Sequence, residues 1–198
     1  MTAAHWNTYC ISKHSKITEI FPNKTQSANQ HMMTKVLSGA LFVVYLVLLI
    51  WLVLFKLKLN LPLLFQDQQR SLNLLPFEAP AIVNGRINYG EMILNCVIFI
   101  PFGLLLNANF KKVSFLPKLA IIFAFSLLME LLQYIFAIGA TDITDLITNT
   151  LGGFIGLHLY NFCNKYVSDV KLDRIIIAIG VLLLLIFLFI RFIFIILR

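Results

Sequence analysis

The sequence predicts an all-α fold, a polytopic membrane bundle of about five transmembrane helices. Three observations predict it. Of the 198 residues, 60% are hydrophobic and 13% are charged, with a mean hydropathy of +0.87. A soluble domain is about 45–50% apolar and about 25% charged. Apolar runs recur that can cross about 30 Å of hydrocarbon at about 1.5 Å per residue. The net charge of +7 lies beside those runs, where it orients a chain in a bilayer. No nucleic-acid-binding fold accompanies it, so no nucleic-acid partner is expected. A soluble enzyme, a disordered chain and a disulfide-rich scaffold are excluded.

Residues 1–35 are polar, and no apolar core follows directly on a basic start, as a secretory signal requires. They read as a poorly ordered cytoplasmic tail, with Met32 or Met33 as an alternative start. The first span, residues 36–55, is free of charge between Lys35 and Lys56. The second, 92–106, is interrupted by Asn95, Pro101 and Gly103. The third, 116–138, is apolar except for Ser126, Glu130 and Gln133. The fourth, 146–162, is rich in Gly and Thr. The fifth, 175–197, is almost pure Ile, Leu and Phe. Its single Arg191 reads as snorkelling toward the head groups from about 10 Å inside the C-terminal end.

The loop charges orient these spans. Lys111, Lys112 and Lys118 lie between the second and third. Asp142 and Asp145, with no Lys or Arg, lie between the third and fourth. Lys165, Lys171 and Arg174 lie between the fourth and fifth. The positive-inside rule then predicts a cytoplasmic N-terminus, an extracellular C-terminus and an external Asp142/Asp145 loop. Cys10, Cys96 and Cys163 form no CxxC and no zinc spacing, so they read as packing residues. No metal and no cofactor are expected.

The polar residues inside the spans need a separate reason. At about 100° per residue, Asp142, Asp145, Gly152, Gly153 and Gly156 all fall within about 60° of Asn149. The glycine part, Gly152-x-x-x-Gly156, lets another helix approach closely. Ser126, Glu130 and Gln133 share a face of the third span at i, i+4 and i+7. Glu130 then lies about 13 Å below the outer surface and Asn149 about 6 Å below it. Pro101 frees the Val97 carbonyl, which is tolerated at that depth only where protein or water satisfies it. Asn95, Glu130, Gln133, Asp142, Asp145 and Asn149 therefore read as one polar cluster in the outer leaflet. One reading is structural, with a protonated Glu130 bonded to Asn149 or Asn95. The other is a ligand-binding site.

These residues stand in motifs. They are Leu72-Asn73-Leu74-Leu75-Pro76-Phe77, Asn95-Cys96-Val97-Ile98-Phe99-Ile100-Pro101-Phe102-Gly103, Glu130-Leu131-Leu132-Gln133, and Asp142-Ile143-Thr144-Asp145 followed by Asn149-Thr150-Leu151-Gly152-Gly153 and Gly156. In this order, over residues 36–160, the chain resembles the VanZ-like family of bacterial membrane proteins. The resemblance implies a four-helix family core at 36–163, with a loop and an extra C-terminal helix at 164–198. It also implies a multi-pass location in a Gram-positive-type bacterial plasma membrane, and an association with low-level resistance to teicoplanin-type glycopeptides. Many members carry an Arg where this chain has Gly139-Ala140-Thr141, which weakens an anion-binding role.

Three functions compete. The first is an envelope protein whose outer-leaflet site binds a lipid, a lipid-linked wall precursor or a lipophilic antibiotic. The second is an enzyme on a lipid head group, with Glu130, Asp142 and Asp145 as acid, base or oxygen ligands. No HExxH, P-loop or GxSxG accompanies them. The third is a small proton-coupled transporter, for which no inverted repeat is present. The oligomeric state is left open.

Overall fold

The computed structural model describes residues 24–55, 71–77, 82–83, 86–87, 89–137 and 140–196. It contains five helices: α1 (Lys24–Phe55), α2 (Gly90–Asn109), α3 (Phe115–Phe136), α4 (Ile143–Asn164) and α5 (Asp169–Ile196). Four short strands accompany them: β1 (Ser71–Asn73), β2 (Ile82–Val83), β3 (Arg86–Ile87) and β4 (Ala140–Asp142). Residues 1–23, with Cys10, lie outside the described residues, as do Lys56, Lys58, Arg70, Gly139, Arg198 and the side chains of Arg86 and Arg191.

The all-α bundle expected from the sequence is present, and each of the five apolar runs is a helix. Among the described residues, four helices carry stretches long and apolar enough to cross a membrane: Met32–Leu54, Gly90–Asn109, Phe115–Phe136 and Asp169–Ile190. α4 is the fifth helix and is more polar, because its polar stripe faces its neighbours. Residues 24–35, expected as part of a poorly ordered tail, are instead the first turns of α1. The segment has no Pro or Gly, and Lys24, Gln26, Ala28, Gln30, Met32, Met33 and Lys35 favour helix. Thr34 donates back to the Gln30 carbonyl at 2.8 Å.

Close approaches fix the directions of the helices. A Cβ on Gly152 would overlap the Cys96 carbonyl, one on Gly156 the Ile100 carbonyl, and one on Gly103 the Gly153 carbonyl. α2 and α4 therefore run side by side in the same direction, with backbone against backbone. α3 runs against α4: the Gly153 position faces Ile122, and Asn149 faces Ser126. The glycine stripe read from the sequence thus has two edges. Gly152 and Gly156 meet α2, and Gly153 meets α3 as well.

α1 lies against α2 and α3. Tyr45 donates to the Ile98 carbonyl, one residue beyond the Val97 carbonyl that Pro101 leaves without its helical donor. The core joins Leu49 and Val53 of α1 to Phe99 and Phe102 of α2, Ile122 and Met129 of α3, and Leu157 of α4. Phe102 lies 5.1 Å from Phe125 and 6.0 Å from both Phe42 and Phe99. α5 packs along α1, with Gly180 at Leu41 and Phe187 at Trp51. Its remaining apolar surface, including Leu182, Leu183 and Leu185, is exposed, as expected of a helix that faces lipid.

The strands lie at one end of the bundle. β1 pairs in parallel with β4, Leu72 opposite Thr141, and β2 pairs with β3 as a hairpin. β4 sits in the turn between α3 and α4. It follows Ala137, which ends α3 in the left-handed region at φ 50°.

The glycine contacts make a direct prediction. Gly103→Leu cannot be accommodated by a rotamer change, because its obstacle is backbone, and overpacking costs about 1–3 kcal/mol or more. Gly180→Ala meets only the tip of the Leu41 side chain, and is expected to be nearly neutral. Thermal unfolding in detergent, followed by circular dichroism, is expected to rank them in that order.

A buried polar ladder between α3 and α4

α4 begins at Asp142, whose extended backbone and short acceptor suit an N-cap. Its Oδ1 accepts from the Thr144 amide at 2.7 Å, and its Oδ2 accepts from Asn73 Nδ2 at 3.2 Å. The Asp142 amide donates to Glu130 Oε2 at 3.1 Å, and Thr141 Oγ1 donates to the Glu130 carbonyl at 3.2 Å. Two helical turns further in, Asn149 Nδ2 donates to Ser126 Oγ at 3.0 Å. Toward α1, Gln133 Nε2 donates to the Val53 carbonyl at 2.8 Å. Thr148 returns its hydroxyl to the Thr144 carbonyl at 2.9 Å.

The ladder is dry. Ser126 and Gln133 are 0% exposed, Asn149 1%, Glu130 3% and Asp145 5%. Asp142 and Thr141 are half-buried at its open end. Gln133 Oε1 and Asn149 Oδ1 are buried acceptors with no hydrogen-bond partner. Buried polar groups are normally paired, so these two oxygens are exceptions within the interface.

Glu130, Gln133, Asp142 and Asn149, four of the six residues expected in the cluster, thus line the α3–α4 interface or its α1 side, and Asp145 is buried in the first turn of α4. Asn95 is half-buried beside Cys96, level with Gly152 and about a turn below Asn149, and makes no side-chain hydrogen bond among the described residues. The expected bond from Glu130 to Asn149 or Asn95 is replaced by two others. The antiparallel register sets Asn149 opposite Ser126, a turn away from Glu130, and the freed carboxylate takes the Asp142 amide. No group of three His, Cys, Asp or Glu side chains among the described residues is placed to hold a metal ion.

The sequence reading missed a second polar cluster at the opposite end. Lys118, taken as a loop charge, is 3% exposed in the first turn of α3, and donates to Asn107 Oδ1. Asn107 Nδ2 in turn donates to the Leu157 carbonyl at 3.3 Å and to Asn161 Oδ1 at 2.7 Å. One amide therefore fastens α2, α3 and α4. Asn107 stands four residues after Gly103, and Asn161 four after Leu157. The spacing continues the seam and was the available signal. Beside it, Tyr160 donates to Asp173 at 2.8 Å, and Lys111 pairs with Asp173 at 2.6 Å. These bonds tie the first turns of α5 to α4 and to the α2–α3 connection. His158 is exposed and packs edge-on to Phe115 at 4.8 Å.

With this geometry in place, comparison with known proteins is informative. A family model described as VanZ/LLP1 matches residues 42–164. Protein VanZ of Enterococcus faecium is 57% identical over 159 residues, covering 80% of this chain and 95% of that protein. No solved structure matches.

Asn107 yields the prediction for this region. Lys118→Met leaves one amide oxygen unpaired and is expected to cost about 1–3 kcal/mol. Asn107→Leu strands the buried ammonium and is expected to cost more, about 3–5 kcal/mol. Equilibrium unfolding in mixed micelles measures both, and the reverse order would show that Lys118 is not buried on Asn107.

Proposed function

The chain belongs to the VanZ/LLP1 family, and from that premise we propose that it is an envelope protein contributing to tolerance of teicoplanin-type glycopeptides. In this reading it acts without catalysis, by holding a lipid, a lipid-linked wall precursor or a lipophilic drug in the outer leaflet of a bacterial plasma membrane. The chain lies in that membrane with its N-terminus cytoplasmic and its C-terminus outside. The support for the orientation is the distribution of Lys and Arg over the short connections.

One observation carries the reading. A membrane helix interface that needs only to be fastened is served by one hydrogen-bonded pair, such as Asn149 and Ser126. The same two helices also bury Glu130 and Asp145 and leave the Gln133 and Asn149 amide oxygens unpaired. A carboxylate at mid-membrane costs at least about 2.5–3.5 kcal/mol, so groups beyond the fastener need a use. A ligand offering hydroxyl or N–H donors, entering past Asp142 and Thr141, would satisfy the two oxygens.

The test is complementation of a deletion strain. Glu130→Gln and Asp145→Asn keep the shape of each side chain and remove its charge. Each is expected to bring glycopeptide tolerance down to that of the deletion strain, with protein levels in the membrane unchanged by immunoblot. Full tolerance in both variants would remove the ladder from the function. Turnover of a radiolabelled lipid by the purified protein would instead favour an enzyme acting through the same carboxylates.

A further inference from the structure

The uncharged segment between Arg70 and Glu78, Ser71-Leu72-Asn73-Leu74-Leu75-Pro76-Phe77, is held firmly and faces outward. Its strand pairs with β4, Asn73 donates to Asp142, and the Leu75 amide donates to Asn73 Oδ1 at 3.2 Å. The Phe77 amide donates to Thr144 Oγ1 at 3.1 Å. Phe77 holds φ at 62°, a region that a bulky residue enters only when its surroundings impose it. So constrained, Leu72, Leu74, Leu75 and Phe77 are between 53% and 64% exposed. Rigid backbone with four large outward apolar side chains is not what a water-facing loop presents.

The segment is continuous with the lipid-facing belt. It is bonded to the first residues of α4, next to the end of α3, where Ile135, Phe136 and Ile147 are exposed apolar side chains of membrane helices. We propose that residues 72–77 are a membrane-surface anchor, with these four side chains in the head-group and upper acyl layer. Through Asn73 and Thr144 the anchor fixes the depth of Asp142, so the open end of the polar ladder meets lipid head groups instead of bulk water. The anchor holds whichever face of the membrane this end occupies, and does not depend on the ladder having a ligand.

The test places a single fluorophore in the segment. Leu75→Trp is made in the full chain with Trp6→Phe and Trp51→Phe, and reconstituted in vesicles of phosphatidylcholine and phosphatidylglycerol. Emission is expected at short wavelength, to resist aqueous acrylamide, and to fall to about half or less with lipid brominated near the head group. Long-wavelength emission quenched by acrylamide and untouched by brominated lipid overturns the proposal. Quenching only by lipid brominated near the chain terminus also overturns it. Leu74→Trp, at the most exposed of the four apolar side chains, gives the same readout if Leu75→Trp does not fold.

Discussion

Everything in this structure depends on the contact between the backbones of α2 and α4. Gly103, Gly152 and Gly156 stand where any side chain would collide with a carbonyl of the facing helix. In lipid the hydrophobic effect gives helices no reason to associate, so packing and hydrogen bonds must do it. Small residues let the two backbones close to a distance at which both can act. The seam also sets the rotation of α4 about its axis. With Gly152 and Gly156 turned to α2, the neighbouring edge of the stripe, carrying Asp142 and Asn149, is presented to α3.

That rotation hides groups that could not face lipid. The Asp142 cap satisfies the first turn of α4, and the Glu130 carboxylate takes an amide of the connecting turn. Asn149 and Ser126 satisfy each other deeper in. At the other end, Asn107 does the same for Lys118. The two clusters differ in what they leave over. Both polar atoms of the Asn107 side chain have partners, which suits a fastener. The α3–α4 ladder keeps two acceptor oxygens unpaired, and it opens at Asp142, where the 71–77 segment is docked. This contrast is why the functional reading rests on one cluster and not on both.

Much of this was legible in the sequence, because it follows from periodicities. Helix existence came from runs of about 20 apolar residues. The shared face of Asp142, Asp145 and Asn149 and the close approach at the glycines came from the 3.6-residue period. What was not legible depends on register between segments. One turn of difference in the α3–α4 alignment decides whether Asn149 meets Glu130 or Ser126. Pairing of β1 with β4 joins residues about 69 positions apart by backbone bonds, which leave no side-chain pattern. Lys118 looked like an orienting charge because composition cannot tell a loop lysine from one turned inward onto Asn107. The helical stretch at 24–35 was missed because its polarity dominated its helix propensity.

The central claim is that the seam seats the polar edge of α4 on α3, and its most direct test is a double-mutant cycle between Ser126→Ala and Asn149→Ala. Reversible unfolding of the four proteins in lipid bicelles gives the coupling. If the two side chains bond in the membrane, the double variant is expected to lose about 0.5–1.5 kcal/mol less than the sum of the singles. Strict additivity would mean that α4 presents another face to α3, and the ladder described here would not exist.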